Sequence, residues 1–361
     1  MIKFFVRSLL AIVLLGAAAA LYLLFWPVPI DPAPWNAPKA PALEGPLAVN
    51  DALASVSLLG EGVGSGPEDI AVDFEGRIYG GLLDGRLIRW DKDAKNPETV
   101  ADTGGRPLGL HVDSDGRLIL CVVGKGILAL EADGTLSTLT TGTKDYTLHF
   151  PDDLDAAADG TIYFSDASSK FDHTNYALDF LEHRPNGKFF SYDPKTGETT
   201  LLADNLYFAN GIAVDPRQEF VLINETSKYR ILRYWLTPEK RGQIDVFVDN
   251  LPGFPDGVSA GSREIFWVAI ASPRDQALDA LLAQPFTRKV VARLPKFLQP
   301  RPQRYGIVLG INREGEIVHN LQDPGGKFAP ITSVQEANGN LYLGSLTEPC
   351  FGKLPRPEEP R

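Results

Sequence analysis

The sequence predicts an all-β protein, a six-bladed β-propeller, preceded by a single N-terminal transmembrane helix. Three observations predict it. A long apolar segment follows two basic residues at the N-terminus. After it, a unit of short apolar strands and Gly-containing turns recurs six times. Four of these units begin with an acidic or amide-bearing turn, in the motifs GPEDIAVD, FPDDLDAA, FANGIAVD and FPDGVSAG.

The apolar segment predicts a membrane anchor over residues 1–27. Lys3 and Arg7 precede an apolar run from about residue 9 to 26, close to the minimum length for a spanning helix. By the positive-inside rule the N-terminus stays in the cytoplasm. The bulk of this single-pass chain is then expected on the other side of the membrane, either periplasmic (extracytoplasmic) or lumenal. A signal peptide cleaved near Ala20 is the alternative, although the apolar run continues past these alanines.

Residues 28–50 are Pro-rich and predict a semi-rigid linker. The formal net charge of −11 disfavours nucleic acid as a partner and suits a soluble domain whose acidic groups include metal ligands. The two cysteines make no disulfide framework. Cys121 lies in the apolar strand RLILCVV, which favours a buried thiol, while pairing with Cys350 stays open.

Residues 51–361 contain the repeat and predict the propeller. Its copies start about 40 to 75 residues apart, a spacing typical of blades with insertions; they begin at Ile70, Leu110, Leu154, Ile212, Val258 and Val334. Asp-Gly and Asn-Gly turns fit antiparallel hairpins. The segment 52–59 is expected to add a strand to the last blade and close the ring. A β-sandwich is the alternative, but it gives no reason for six matching turns.

One stretch near 275–299 breaks the strand pattern, because its apolar residues recur at helical spacing. It predicts a helical insertion on one rim of the propeller. Three interpretations stay open: a cap packed on blade five, a lid over the central channel, or a rim that faces the membrane.

The four acidic or amide turns predict a metal site. The innermost strand of each blade begins near the central channel, so residues just ahead of it face a common axis; they are Glu68, Asp152, Asn210 and Asp256. Three carboxylates and one amide are hard oxygen donors that suit Ca²⁺. The alternative is that such side chains merely hydrogen-bond their own turns.

These motifs resemble those of the calcium-dependent six-bladed propeller hydrolases, which include gluconolactonase and regucalcin, the paraoxonase-type arylesterase-lactonases and the strictosidine-synthase-like proteins. The resemblance spans roughly residues 67–354, and LPGFPDG with the closing NLYLGSL is its most specific part. It implies that Glu68, Asn210 and Asp256 are calcium ligands. Asp152 stands where the family usually has Asn. Asp69 and Asp153 match the carboxylates that hold a second, structural calcium in the paraoxonase branch.

Two departures from the family leave the catalytic base open. Leu108 stands where paraoxonases carry a His, and the stretch before Gln335 lacks the catalytic Glu of strictosidine synthases. Asp256 or Asp152 is therefore expected to accept the proton, with His149 as a candidate acid/base or substrate contact.

The predicted function is a calcium-dependent hydrolase of ester-like bonds that acts on a small-molecule ester or lactone. A membrane-anchored binding or scaffold propeller with structural calcium is the first alternative. A strictosidine-synthase-like condensing enzyme is the second.

Overall fold

The computed structural model describes residues 2–358, and six four-stranded antiparallel sheets make up its main body. The innermost strands of successive sheets contact one another, and those of the sixth and first sheets also touch, so the sheets form a closed ring. The predicted six-bladed propeller is confirmed.

The first three blades follow one another along the chain. Blade one is β2 (Ile70–Val72), β3 (Ile78–Gly81), β4 (Arg86–Trp90) and β5 (Glu98–Asp102). Blade two is β6 (Arg106–Val112), β7 (Leu118–Val123), β8 (Gly126–Leu130) and β9 (Leu136–Thr140). A small hairpin, β10 (Gly142–Thr143) and β11 (Tyr146–Thr147), precedes blade three, which is β12 (Pro151–Ala156), β13 (Ile162–Asp166), β14 (Gly187–Asp193) and β15 (Glu198–Leu206).

The last three blades complete the ring. Blade four is β16 (Ala209–Val214), β17 (Phe220–Glu225), β18 (Arg230–Trp235) and β19 (Ile244–Val248). Blade five is β20 (Gly253–Ala260), β21 (Phe266–Pro273), β22 (Gly306–Ile311) and β23 (Ile317–Asp323). Blade six is β24 (Ser333–Ala337), β25 (Asn340–Gly344), β26 (Phe351–Pro355) and β1 (Ser57–Leu59).

The ring is closed by the N-terminal strand of the propeller, as the sequence predicts. Ser57 pairs with Lys353 and Leu59 with Phe351 in an antiparallel register. Because β1 comes from the opposite end of the propeller, blade six joins both ends of the domain, and β1 pairs the edge of β26 that would otherwise be free.

The apolar core lies between neighbouring blades. Between blades two and three, for example, Cys121 and Ile119 pack with Phe164 and Leu154. Strands such as β7 and β22 are buried along their whole length, because both faces of a blade pack against its neighbours in this stack. Both cysteines are buried free thiols.

The N-terminal helix α1 (Ile2–Phe25) is long and apolar enough to span a membrane. Its segment Phe4–Phe25 has a mean hydropathy of 2.5 and is not buried in the protein. After α1, the Pro-rich segment does not run free, as a spacer would. Trp35 stacks on His183 at 4.4 Å, and Leu47 joins the core of blades four and five. We call residues 28–48 the strap, since they lie packed along the propeller.

Three short helices share one rim of the propeller with the strap. They are α2 (Tyr176–Glu182) in blade three, and α3 (Gln276–Leu282) and α4 (Pro285–Arg293) between β21 and β22. A 3-10 turn at Lys296–Leu298 follows α4. Helix α4 contacts α1, α2 and α3, so the helical insertion connects the N-terminal helix to blade three.

Candidate metal centre in the central channel

Three of the four predicted ligands lie inside innermost strands and not in turns ahead of them, which corrects the sequence-based placement. Each stands at a β-bulge, where the register shifts; the shifts fall between Pro151 and Leu154, Ala209 and Ile212, and Pro255 and Val258. A bulge inserts an extra residue and redirects side chains. Asp152, Asn210 and Asp256 are the bulged residues, whereas Glu68 precedes β2.

The glycines after Asn210 and Asp256 serve close packing, because the innermost strands crowd together at the axis. A Cβ on Gly211 would lie 2.4 Å from the Asp256 carbonyl oxygen, and one on Gly257 would lie 2.7 Å from the Thr332 carbonyl oxygen. The Asn-Gly and Asp-Gly pairs therefore let neighbouring blades approach within the channel.

The four residues come together at a cavity of about 210 Å³ in the channel. Glu68, Asp152 and Asn210 line it, and Asn210 Nδ2 donates to Asp256 Oδ1 at 2.5 Å. No described residue donates a hydrogen bond to the carboxylate of Glu68 or Asp152. Two buried carboxylates thus face the cavity without a partner.

Burial raises the pKa of all three carboxyl groups, and repulsion between carboxylates raises it further at Glu68 and Asp152. Desolvation is the largest cause, and the charge of Asp256 adds to it at both Glu68 and Asp152. Burial raises the pKa of Asp256 to about 7, against a counteracting hydrogen bond from Asn210. Arg106 lowers the pKa of Glu68, but this effect is outweighed. A cation that enters such a cluster of like charges relieves their repulsion and stabilises the ionised carboxylates.

Asp69 and Asp153 occupy a second layer and bridge neighbouring blades. Asp69 accepts from the backbone N–H of Ile70 at 2.7 Å and of Leu110 at 2.8 Å. Asp153 accepts from Leu154 and from Ile212, both at 2.8 Å. Each carboxylate therefore ties the innermost strand of its own blade to that of another. A second calcium at this layer stays a prediction.

The same bridging continues at Asp155, which the sequence analysis missed. Its carboxylate accepts from Ala156 at 2.8 Å and Val214 at 2.7 Å, and His111 Nδ1 lies 3.0 Å from Oδ1. Alternation along β12 was the available signal, because Asp153 and Asp155 share one face of the strand. His111 is thus held beside Asp155, further along the channel than Asp152 and Asp153.

His149 does not line the cavity. Its side chain is exposed, and its Nδ1 lies 3.1 Å from the Ser168 carbonyl oxygen. Its backbone N–H donates to Asp166. The structure therefore brings Asp152 and Asp256 together but leaves His149 apart from them.

An aromatic collar flanks the acidic residues and was also missed. Phe150, Phe208 and Phe254 each stand two residues before a ligand position, a spacing already visible in FPD, FAN and FPD. Phe180 of α2 joins them, with ring centroids 4.8 Å from Phe208 and 5.7 Å from Phe254. Tyr176 lies close enough that the charge of Asp256, after burial, raises its pKa.

The donor set fits a hard divalent cation. Among residues 2–358, no three His, Cys, Asp or Glu side chains form a metal cluster by themselves. An ion here would need the Asn210 amide and further backbone or water oxygens besides the carboxylates. Calcium accepts such a mixed, flexible set of six to eight oxygens.

Comparisons with known proteins agree with this architecture. The strictosidine synthase family profile matches residues 152–239, and that of the strictosidine synthase-like N-terminal region matches 45–90. The adipocyte plasma membrane-associated protein of Bos taurus is 33% identical over 96% of this chain and 88% of its own length. Strictosidine synthase-like protein 7 of Arabidopsis thaliana is 34% identical over 88% of this chain and 87% of its own.

Solved structures share the fold at low identity. A gluconolactonase from Xanthomonas campestris superposes with a TM-score of 0.62 and 19% identity, covering 91% of this chain and 98% of that chain. A calcium-binding regucalcin from Agrobacterium tumefaciens gives a TM-score of 0.57 and 14% identity, covering 84% of this chain and 96% of that one.

Proposed function

Because the chain belongs to the strictosidine-synthase-like family of six-bladed propellers, we propose that it is a calcium-dependent hydrolase of ester-like bonds. Its substrate is a small-molecule ester or lactone, and its propeller lies on the periplasmic or lumenal side of the membrane. The observation that carries the proposal is the pair of buried carboxylates, Glu68 and Asp152, which face the cavity without a hydrogen-bond donor. The gluconolactonase and regucalcin folds support the same class.

Glu68, Asp152, Asn210 and Asp256 would hold the ion. Bound calcium supplies a Lewis acid for a carbonyl oxygen. Asp256 has a pKa of about 7 before the ion binds, and it or Asp152 is the group available to take a proton from water. The aromatic collar and Tyr176 provide an apolar wall that shields the reacting bond from bulk water and contacts the apolar part of the substrate.

A second candidate is a non-catalytic binding propeller with structural calcium. It is favoured by Leu108, which is buried in the collar where the paraoxonases have a His. A condensing enzyme has less support, since Thr332 and Ser333, ahead of Gln335, line the cavity where a carboxylic acid is needed.

The test is hydrolysis of aryl esters and lactones by the purified full-length chain, with calcium and after chelation. Asp256→Ala should lose at least about 100-fold in kcat/KM, and chelation should have the same effect. Asp113→Ala is the matched control, because Asp113 is a buried carboxylate in a hairpin turn outside the cavity. Activity that survives both treatments would exclude the calcium hydrolase. Calcium binding without hydrolysis, read by calorimetry, would favour the binding propeller.

A further inference from the structure

Helix α4 is fastened to the end of the membrane anchor. Arg293 donates from Nη1 to the Leu23 carbonyl at 2.9 Å and from Nε to the Trp26 carbonyl at 2.5 Å. Arg288, also buried, donates to the carbonyls of Leu181 in α2 and Ala33 in the strap. The Arg293 bonds satisfy carbonyls in and just after the last turn of α1, and the Arg288 bonds join α4 to α2 and to the strap.

This rim exposes large apolar side chains beside that exit point. Phe286 is 60% exposed, Phe297 69% and Leu298 57%. They lie on α4 and its following 3-10 turn, and Trp26, at the end of the anchor, is likewise 60% exposed. Aromatic residues at this position are typical of the membrane–water interface.

The same segment carries a charge opposite to that of the whole chain. Residues 285–304 contain six Lys or Arg residues and neither Asp nor Glu, in a protein of net charge −11. Lys296 and Arg301 are exposed next to the apolar residues. A basic surface with protruding Phe and Leu matches the requirements for binding at the headgroup region of an anionic bilayer.

The rim is also connected to the channel. Helix α4 contacts α2, and α2 presents Phe180 and Tyr176 to the aromatic collar. The end of the propeller at which the innermost strands begin is therefore the end that carries the basic, apolar rim.

We propose that α4 and the 3-10 turn at 296–298 lie in the headgroup region of the bilayer that α1 spans. The collar end of the channel then faces the membrane, and the substrates are amphiphilic esters taken from the lipid phase. The substrate class rests on the proposed function, whereas the docked surface does not.

The surface is tested by nitroxide labels on the full-length chain in nanodiscs of phosphatidylcholine and phosphatidylglycerol. Single substitutions Phe286→Cys and Phe297→Cys are compared with Phe74→Cys, which is 77% exposed on the turn after β2, at the opposite end of blade one. Because Cys121 and Cys350 are buried, the unsubstituted chain serves as the labelling blank.

For each label, the rate of collision with a water-soluble nickel complex is divided by the rate of collision with oxygen. This ratio should be roughly threefold lower for labels at 286 and 297 than for the label at 74. Equal nickel accessibility at all three positions would overturn the docked surface. A tethered propeller that tumbles on a loose linker gives that equal result.

The substrate class is tested with Phe297→Asp combined with Leu298→Asp, against Phe74→Asp. Hydrolysis of a vesicle-embedded aryl ester should fall about tenfold in the double variant, while that of a water-soluble aryl ester stays unchanged. Equal rates of the wild type and the double variant on the embedded ester would overturn delivery from the membrane. If neither ester is hydrolysed, the hydrolase proposal fails, and the label accessibilities still decide the surface.

Discussion

Acidic residues at the two ends of the innermost strands differ in whether their carboxylates are hydrogen-bonded. At the far end of blades one and two, Asp73 and Asp113 each close their own hairpin. Asp113 accepts from the backbone N–H groups of Asp115 at 3.0 Å and Arg117 at 2.8 Å, and from Arg117 Nε at 3.0 Å. At the channel end, the side-chain carboxylates of Glu68 and Asp152 accept no hydrogen bond from a described residue.

The difference shows that carboxylates in the same repeat serve two purposes. A far-end carboxylate is satisfied within about five residues of chain, so it stabilises its own turn. A channel carboxylate can be satisfied only by something that enters the cavity, because its neighbours carry the same charge. The ring thus retains electrostatic repulsion at the place where a ligand can relieve it.

The largest effect is expected from crowding the channel end. Gly211→Ala places a Cβ 2.4 Å from the Asp256 carbonyl oxygen, so blades four and five must separate. The free energy of unfolding should fall by about 3 kcal/mol, and calcium binding should be lost with it. Chemical denaturation and calcium calorimetry measure both.

The control for this substitution is a glycine away from the channel. Gly197 has a φ of +72°, and a Cβ there meets nothing within 4 Å. Gly197→Ala should cost only about 1 kcal/mol and leave calcium binding intact. Similar losses in the two variants would mean that the channel is not tightly packed.

A second prediction concerns pH. The pKa of Asp256 is raised from 3.8 to about 7, so the folded, ion-free protein binds more protons than the unfolded chain between these values. The contribution of Asp256 to the free energy of unfolding is therefore fully present below about pH 4 and is lost as the pH rises towards about 7. From about pH 5 to about pH 8, the Tm of the ion-free protein should fall by at least about 3 °C.

Saturating calcium should remove this dependence, because the ion favours the deprotonated carboxylates. Differential scanning calorimetry with and without calcium makes the comparison. A Tm that rises with pH in the ion-free protein would contradict the raised pKa values.

The smallest expected effect is a change in the free energy of unfolding that has opposite signs in two variants. Asp152→Asn removes one charge from the ring, so the ion-free protein should gain about 1 kcal/mol while calcium affinity falls about tenfold. Asp113→Asn removes the ion pair with Arg117 and should lose about 1 kcal/mol with calcium affinity unchanged. Denaturant midpoints of both variants in chelator measure the signs. Two losses would show that the ring carboxylates are paired like those of the turns.

The repeat, the ring closure and the gathering of the four predicted ligand positions at one cavity could be predicted from sequence. They depend on apolar alternation and on the position of each motif within its unit, both of which are local. The strand placement of Asn210 and Asp256 was not predictable, because Asn-Gly and Asp-Gly pairs are typical of turns and a bulge depends on the neighbouring strand.

Two other features depend on contacts between distant parts of the chain. The sequence predicts a semi-rigid linker over residues 28–50 and gives no sign of the stacking of Trp35 on His183. The position of His149 depends on the Ser168 carbonyl, nineteen residues away. Such pairings are set by tertiary packing, which one sequence does not display.

The closing strand has a consequence for how the protein is made. β1 follows the anchor and strap, whereas its partner β26 comes about 300 residues later. During synthesis, β1 therefore waits unpaired while the five other blades are translated. A chain that stalls before Phe351 therefore keeps β1 unpaired, and the ring can close only after Phe351–Pro355 have been translated.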